Sequence, residues 1–166
     1  MKRLCWIFLL VFLLCGCTSQ KEFETLSDDV QYSLVEPSDI ILDLPEKVAV
    51  SVFGDGDGNE IYIANDYTVE TYLLPSGDMD KTVLEVTGFL KKDIQIMETE
   101  SDGIKRYECV WTSAGEGELQ ACRATILDDG NYHYVLTVVG DQAAASKCSE
   151  EWKQIFKSYM LTNTDQ

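Results

Sequence analysis

The run Asp129-Gly130-Asn131-Tyr132-His133-Tyr134-Val135-Leu136-Thr137-Val138-Val139 decides the fold. Asp-Gly is a strong hairpin signal, because glycine supplies the positive φ that tight β-turns require. The strand that follows is apolar on both faces instead of alternating, which suits a central strand covered from two sides. The next segment supplies one of those covers. Gly140-Asp141 opens a long helix in which Ala145, Cys148, Trp152, Ile155 and Tyr159 form one stripe, thickened by Phe156 and Met160. That stripe reads as core and carries no cofactor role.

Upstream of the hairpin the pattern is again that of strands: Ile94 to Glu98, Ile104 to Ser113 and Leu119 to Leu127, with turns at Ser101-Asp102-Gly103 and Gly115-Glu116-Gly117. Before them, Pro75-Ser76-Gly77 breaks the chain, and Asp78 and Asp80 stand where a helix N-terminus welcomes negative charge. Met79, Val83, Val86 and Leu90 then recur at helical spacing, which predicts a helix stopping near Lys91-Lys92. Earlier still, Ile40 to Leu44 is a short apolar start, and Val48 to Phe53, Ile61 to Ala64 and Tyr67 to Leu74 read as strands. The fold class expected is α+β, an antiparallel sheet with helices packed on it.

Four stretches carry a family resemblance: Ile40-Ile41-Leu42-Asp43-Leu44-Pro45, Gly103-Ile104-Lys105-Arg106-Tyr107-Glu108, Tyr132 to Thr137, and Trp152-Lys153-Gln154-Ile155-Phe156-Lys157-Ser158-Tyr159. With the order of strands, helix, four-strand meander and closing helix, the chain resembles the Mog/PsbP-like α/β/α sandwich over about residues 40 to 161. Proteins of that fold include photosystem II oxygen-evolving subunits, a Ran-binding nuclear import factor and many bacterial lipoproteins. The resemblance implies an accessory or binding module and supplies no catalytic residue.

The N-terminus bears on location. Lys2 and Arg3 precede the apolar run Leu4 to Leu14, too short to span a bilayer as a stable helix, and Leu14-Cys15-Gly16-Cys17 closes it. Those last residues resemble a lipobox, in which Cys17 receives diacylglycerol and becomes the mature N-terminus. Cys15 is the poorer acceptor, since Leu14 would then occupy the position that requires a small side chain. Residues 1–16 are thus expected to be a signal peptide, 17–38 a flexible acidic tether, 39–161 a single domain and 162–166 a disordered tail. The localisation expected is the extracytoplasmic face of the cell membrane, with the membrane contacted through the N-terminal lipid.

Charge narrows the partners. The chain carries a formal charge of −16, which becomes −18 once Lys2 and Arg3 leave with the signal. Such a surface repels phosphate backbones, so no nucleic acid partner is expected, and a protein or small-molecule partner is.

Catalytic patterns are sparse. The single histidine, His133, lies in a strand beside two tyrosines and reads as packing or surface. No Gly-x-Ser-x-Gly, Ser-x-x-Lys, His-Glu-x-x-His or phosphate-loop pattern is present. No cofactor is expected. Asp55, Asp57 and Asn59 resemble the start of a calcium loop, yet Glu60 stands where glycine is needed and Asp66 where a bidentate Glu belongs. They read as a hairpin turn and only as weak metal candidates. If the next hairpin closes at Gly115-Glu116, Cys109 and Cys122 face one another and a disulfide is sterically possible; Cys148 is the alternative partner, and all three staying reduced is the other reading. The function expected is a lipid-anchored extracytoplasmic binding or accessory protein. A cell-envelope enzyme and a calcium-stabilised adhesion module are the alternatives.

Overall fold

The computed structural model describes residues 35–50, 59–115 and 118–162. The expectations for Cys17, Asp55 and Asp57, and most of the expected tether and tail, lie outside these residues.

The strands are β1 (Ile40–Ile41), β2 (Ala49–Val50), β3 (Glu60–Ile63), β4 (Tyr67–Pro75), β5 (Ile96–Ser101), β6 (Ile104–Ala114), β7 (Leu119–Asp128), β8 (Tyr132–Asp141) and β9 (Met160–Leu161). The helices are α1 (Met79–Thr87), α2 (Gln142–Lys147) and α3 (Ser149–Ser158), with a 3₁₀ turn at Lys91–Asp93. Strands β2 to β8 form one seven-stranded antiparallel sheet in the order β2-β3-β4-β8-β7-β6-β5, and β1 pairs with β9 in a separate ribbon. The fold is α+β, as expected, and β8 lies at the centre of the sheet. That position explains its composition, since a central strand has no solvent face.

The two faces of β8 pack on different layers. Tyr134, Leu136 and Val138 join Val69, Trp152, Ile155, Phe156 and Tyr159 in the larger core, under α2 and α3. Val135 on the opposite face joins Ile126, Tyr107 and Val83 under α1. Helix α1 begins where Asp78 accepts a hydrogen bond from the Asp80 N–H. Helix α2 begins where Asp141 caps the Ala144 N–H.

The structure corrects three expectations. Helix α1 ends at Thr87, because Gly88 takes a left-handed φ of 75° and donates its N–H to the Leu84 carbonyl. Leu90 therefore lies outside the helix and is exposed. The long closing helix is two helices that meet at Cys148, whose φ and ψ of −101° and 17° interrupt the run. Its stripe stays continuous in space through Cys148, Trp152, Ile155 and Tyr159, whereas Met160 belongs to β9 and is exposed. Finally, the β6–β7 ladder ends at Ala114 with Leu119, which shifts the register: Cys109 faces Ala124 and Cys122 faces Trp111. Cys109 and Cys122 share a face but are not directly opposed, and with Cys148 they are free and buried. Burial pushes the Cys109 thiol up to about 11, so it is protonated and unreactive at neutral pH.

The segment leading into the domain is fastened to the β7–β8 hairpin. The Ser38 N–H donates to the Tyr134 hydroxyl, which donates to Asp129, and the Tyr132 hydroxyl donates to the Val35 carbonyl. The last residues of the expected tether are thus held against the sheet.

Candidate functional site

The last turn of α3 leaves carbonyls that no helical N–H can satisfy. Arg106, from β6, satisfies two of them. Its guanidinium donates to the Phe156 carbonyl at 2.6 Å and the Tyr159 carbonyl at 2.9 Å, while Nε donates to Glu108 at 2.8 Å. Glu108 also accepts from Arg123 at 3.0 Å, and the Arg123 guanidinium lies 4.3 Å over the Phe156 ring. Alternation places Arg106, Glu108 and Arg123 on one face of β6 and β7, so the strand period brings the three charges together under α3. Burial alone would raise the Glu108 pKa, but hydrogen bonds and charge from Arg106 and Arg123 hold it below the usual carboxylate value.

Three clefts ring this helix end. The largest, about 500 Å³, lies between the β5–β6 hairpin and the β1–β9 ribbon, with Thr99, Ser101 and Ile104 on one side and Ile41 and Met160 on the other. A second, about 440 Å³, is bounded by Leu44, Pro45, Lys157 and Met160. A third, about 350 Å³, holds Arg106, Glu108, Arg123, Lys153 and Lys157 above Phe156. Met160 joins the first to the second, Lys157 the second to the third, and Arg106 the third to the first. On a chain of formal charge −16, four cations converge here beside exposed Ile41 and Met160. An apolar floor with a few placed charged groups is the composition of a recognition surface.

His133 lies elsewhere, on the α1 face of the sheet. Its Nδ1 shares a hydrogen bond of 2.8 Å with Thr82 Oγ1, and its Nε2 stands 3.7 Å from Asp128, which accepts from Ser76 and from the Gly130 N–H. The hydroxyl, imidazole and carboxylate order is that of a hydrolytic triad, but His133 is 0% exposed and Thr82 6%. No substrate reaches a nucleophile sealed in this way. Desolvation lowers the imidazole pKa against the pull of Asp128 and Asp129, which keeps the ring neutral.

Among the described residues no group of three or more His, Cys, Asp or Glu is placed to hold a metal ion. Asn59, the one described residue of the calcium-like turn, precedes β3. Sequence reading missed the Arg106, Glu108, Arg123 cluster. Its signal was the recurrence of charge at alternate positions on strands whose neighbours are core.

No known family and no curated protein matches the sequence. Solved structures do. The solution structure of cyanobacterial PsbP (CyanoP) from Synechocystis sp. PCC 6803 is similar at 9% identity and a TM-score of 0.52, over 78% of this chain and 96% of that one. The crystal structure of LpqN, involved in cell envelope biogenesis of Mycobacterium tuberculosis, is similar at 13% identity and a TM-score of 0.51, over 76% and 86%. A Bacteroides thetaiotaomicron protein gives 10% and 0.51 over 76% of this chain, which spans 46% of that protein's length. At these identities the likeness establishes a PsbP-like fold.

Proposed function

We propose that this PsbP-like chain is a lipid-anchored binding or accessory protein of the cell envelope, held on the extracytoplasmic face through diacylglycerol on Cys17. Its partner, a protein or a small molecule, seats on the surface around the end of α3. The observation that carries the reading is the sharing of Met160, Lys157 and Arg106 by three clefts, which makes one continuous recognition surface. An envelope enzyme is the poorer reading, because the only hydroxyl, imidazole and carboxylate group found among the described residues is buried on the opposite face. The anchor reading rests on the lipobox resemblance of Leu14-Cys15-Gly16-Cys17.

Two measurements test the proposal together. Intact mass of wild type and Cys17→Ser should differ by the lipid, and the variant should leave the membrane fraction; identical unlipidated masses would contradict the anchor. Cys15→Ser should behave as wild type. Purification from envelopes should recover a discrete companion that Lys157→Glu with Met160→Asp removes, both side chains being exposed. A companion retained undiminished by that variant would place recognition elsewhere.

A further inference from the structure

Strand β5 ends the sheet on one side. Sheet edges invite pairing with another chain, and proteins commonly blunt them with charged side chains, proline, bulges or very short strands. The β5 edge carries charge on one face only, in Glu98 and Glu100. Its residues Ile96 to Ser101 run in unbroken register against β6, contain neither proline nor lysine, and among the described residues have no strand on their outer side.

The two faces of this edge differ chemically. Glu98 and Glu100 lie on the α1 face, opposite Tyr107 and Lys105, and Asp102 follows in the turn. Met97, Thr99 and Ser101 lie on the α3 face. There Met97 is 58% exposed, its diagonal neighbour Val110 is 66% exposed, and Thr99 and Ser101 form one wall of the largest cleft. A strand added outside β5 would send alternate side chains to these two environments, one acidic and one uncharged along β5, with Met97 as its apolar contact.

We propose that the β5 edge accepts an extended partner segment in which basic and apolar residues alternate. Its backbone pairs with the free N–H and C=O groups of β5, its basic residues lie beside Glu98 and Glu100, and its apolar residues lie beside Met97 and the cleft wall. A second copy of this chain is a poor occupant. It would bring Glu98 and Glu100 of both copies together between two molecules of formal charge −16. The inference rests on the binding-module reading and shares the Thr99 and Ser101 cleft wall with the helix-end surface, but its test reverses Glu98 and Glu100 and leaves Lys157 and Met160 intact, so the two fail separately.

The test is a fluorescence-anisotropy titration of the full chain in neutral detergent with a short capped peptide alternating lysine and valine. Saturable binding is expected, weakened about tenfold by Glu98→Lys with Glu100→Lys and weakened by added salt. A peptide of the same composition in two blocks, and an alternating peptide N-methylated at every second amide, should bind far less. Amide exchange should slow at β5 and not at α3. Equal affinity for the blocked or methylated peptides, indifference to the charge reversal, or no saturable binding would each overturn the proposal. So would a dimer, seen by sedimentation, that the charge reversal disperses or strengthens. The two glutamates are exposed and give up only the Tyr107 hydrogen bond and the cross-strand Lys105 partner, so the variant should fold, as checked by a single cooperative melt.

Discussion

His133 shows how a single buried ring sets a pH response. Its pKa is lowered by burial in the folded chain, whereas in the unfolded chain it returns to about 6.5. Below that value the unfolded state takes up a proton that the folded state refuses, so this residue's contribution to stability is lost as pH falls. Relative to His133→Gln, the wild-type denaturation midpoint should decline between about pH 7.5 and 5.5. A relative rise would mean that Asp128 stabilises a charged imidazolium and that the burial argument is wrong. Arg106 makes a different prediction. Arg106→Ala leaves the Phe156 and Tyr159 carbonyls and Glu108 short of a donor, at a cost of about 2 to 3 kcal/mol by chemical denaturation. Arg106→Lys should recover only part of that, since an ammonium cannot reproduce the planar fork. Full recovery by lysine would show that charge alone matters there.

Among the elements, α3 was legible in the sequence because its apolar residues keep the helical period, and β8 because an apolar run without alternation follows a hairpin signal. Trp152 is 6% exposed on the apolar stripe, so Trp152→Ala should cost roughly 3 to 5 kcal/mol. A denaturation midpoint within error of wild type would show that the stripe does not pack on the sheet. The misread boundaries share a physical origin. Helical spacing carried the reading of α1 through to Leu90, but Gly88 in the left-handed region ends it first, and local capping overrides periodicity. Gly140 looked like a helix opener. It is a strand residue pressed against the Asp66 carbonyl, where a Cβ would come within 2.9 Å. The β1–β9 ribbon pairs residues over a hundred positions apart, a tertiary contact with no local signature. The cysteine register failed for the opposite reason: hairpin geometry is local, but a small change in where the loop closes moves Cys109 from Cys122 to Ala124.

For the molecule as a whole, charge excludes more than it selects. A formal charge of −16 argues against nucleic acid, and the convergence of Arg106, Arg123, Lys153 and Lys157 at one helix end makes that end unlike the rest of the surface. That convergence was not readable from composition, because the four cations come from three separate elements and only the fold assembles them. On the proposed reading, this assembled surface and not the α1 face meets the partner. A photo-crosslinking amino acid placed at Met160 and, separately, at Leu84 on α1 tests it directly in intact envelopes, since both positions are exposed. A discrete crosslinked adduct is expected from position 160 and none from position 84; adducts from position 84 alone, or from neither, would contradict the proposed surface.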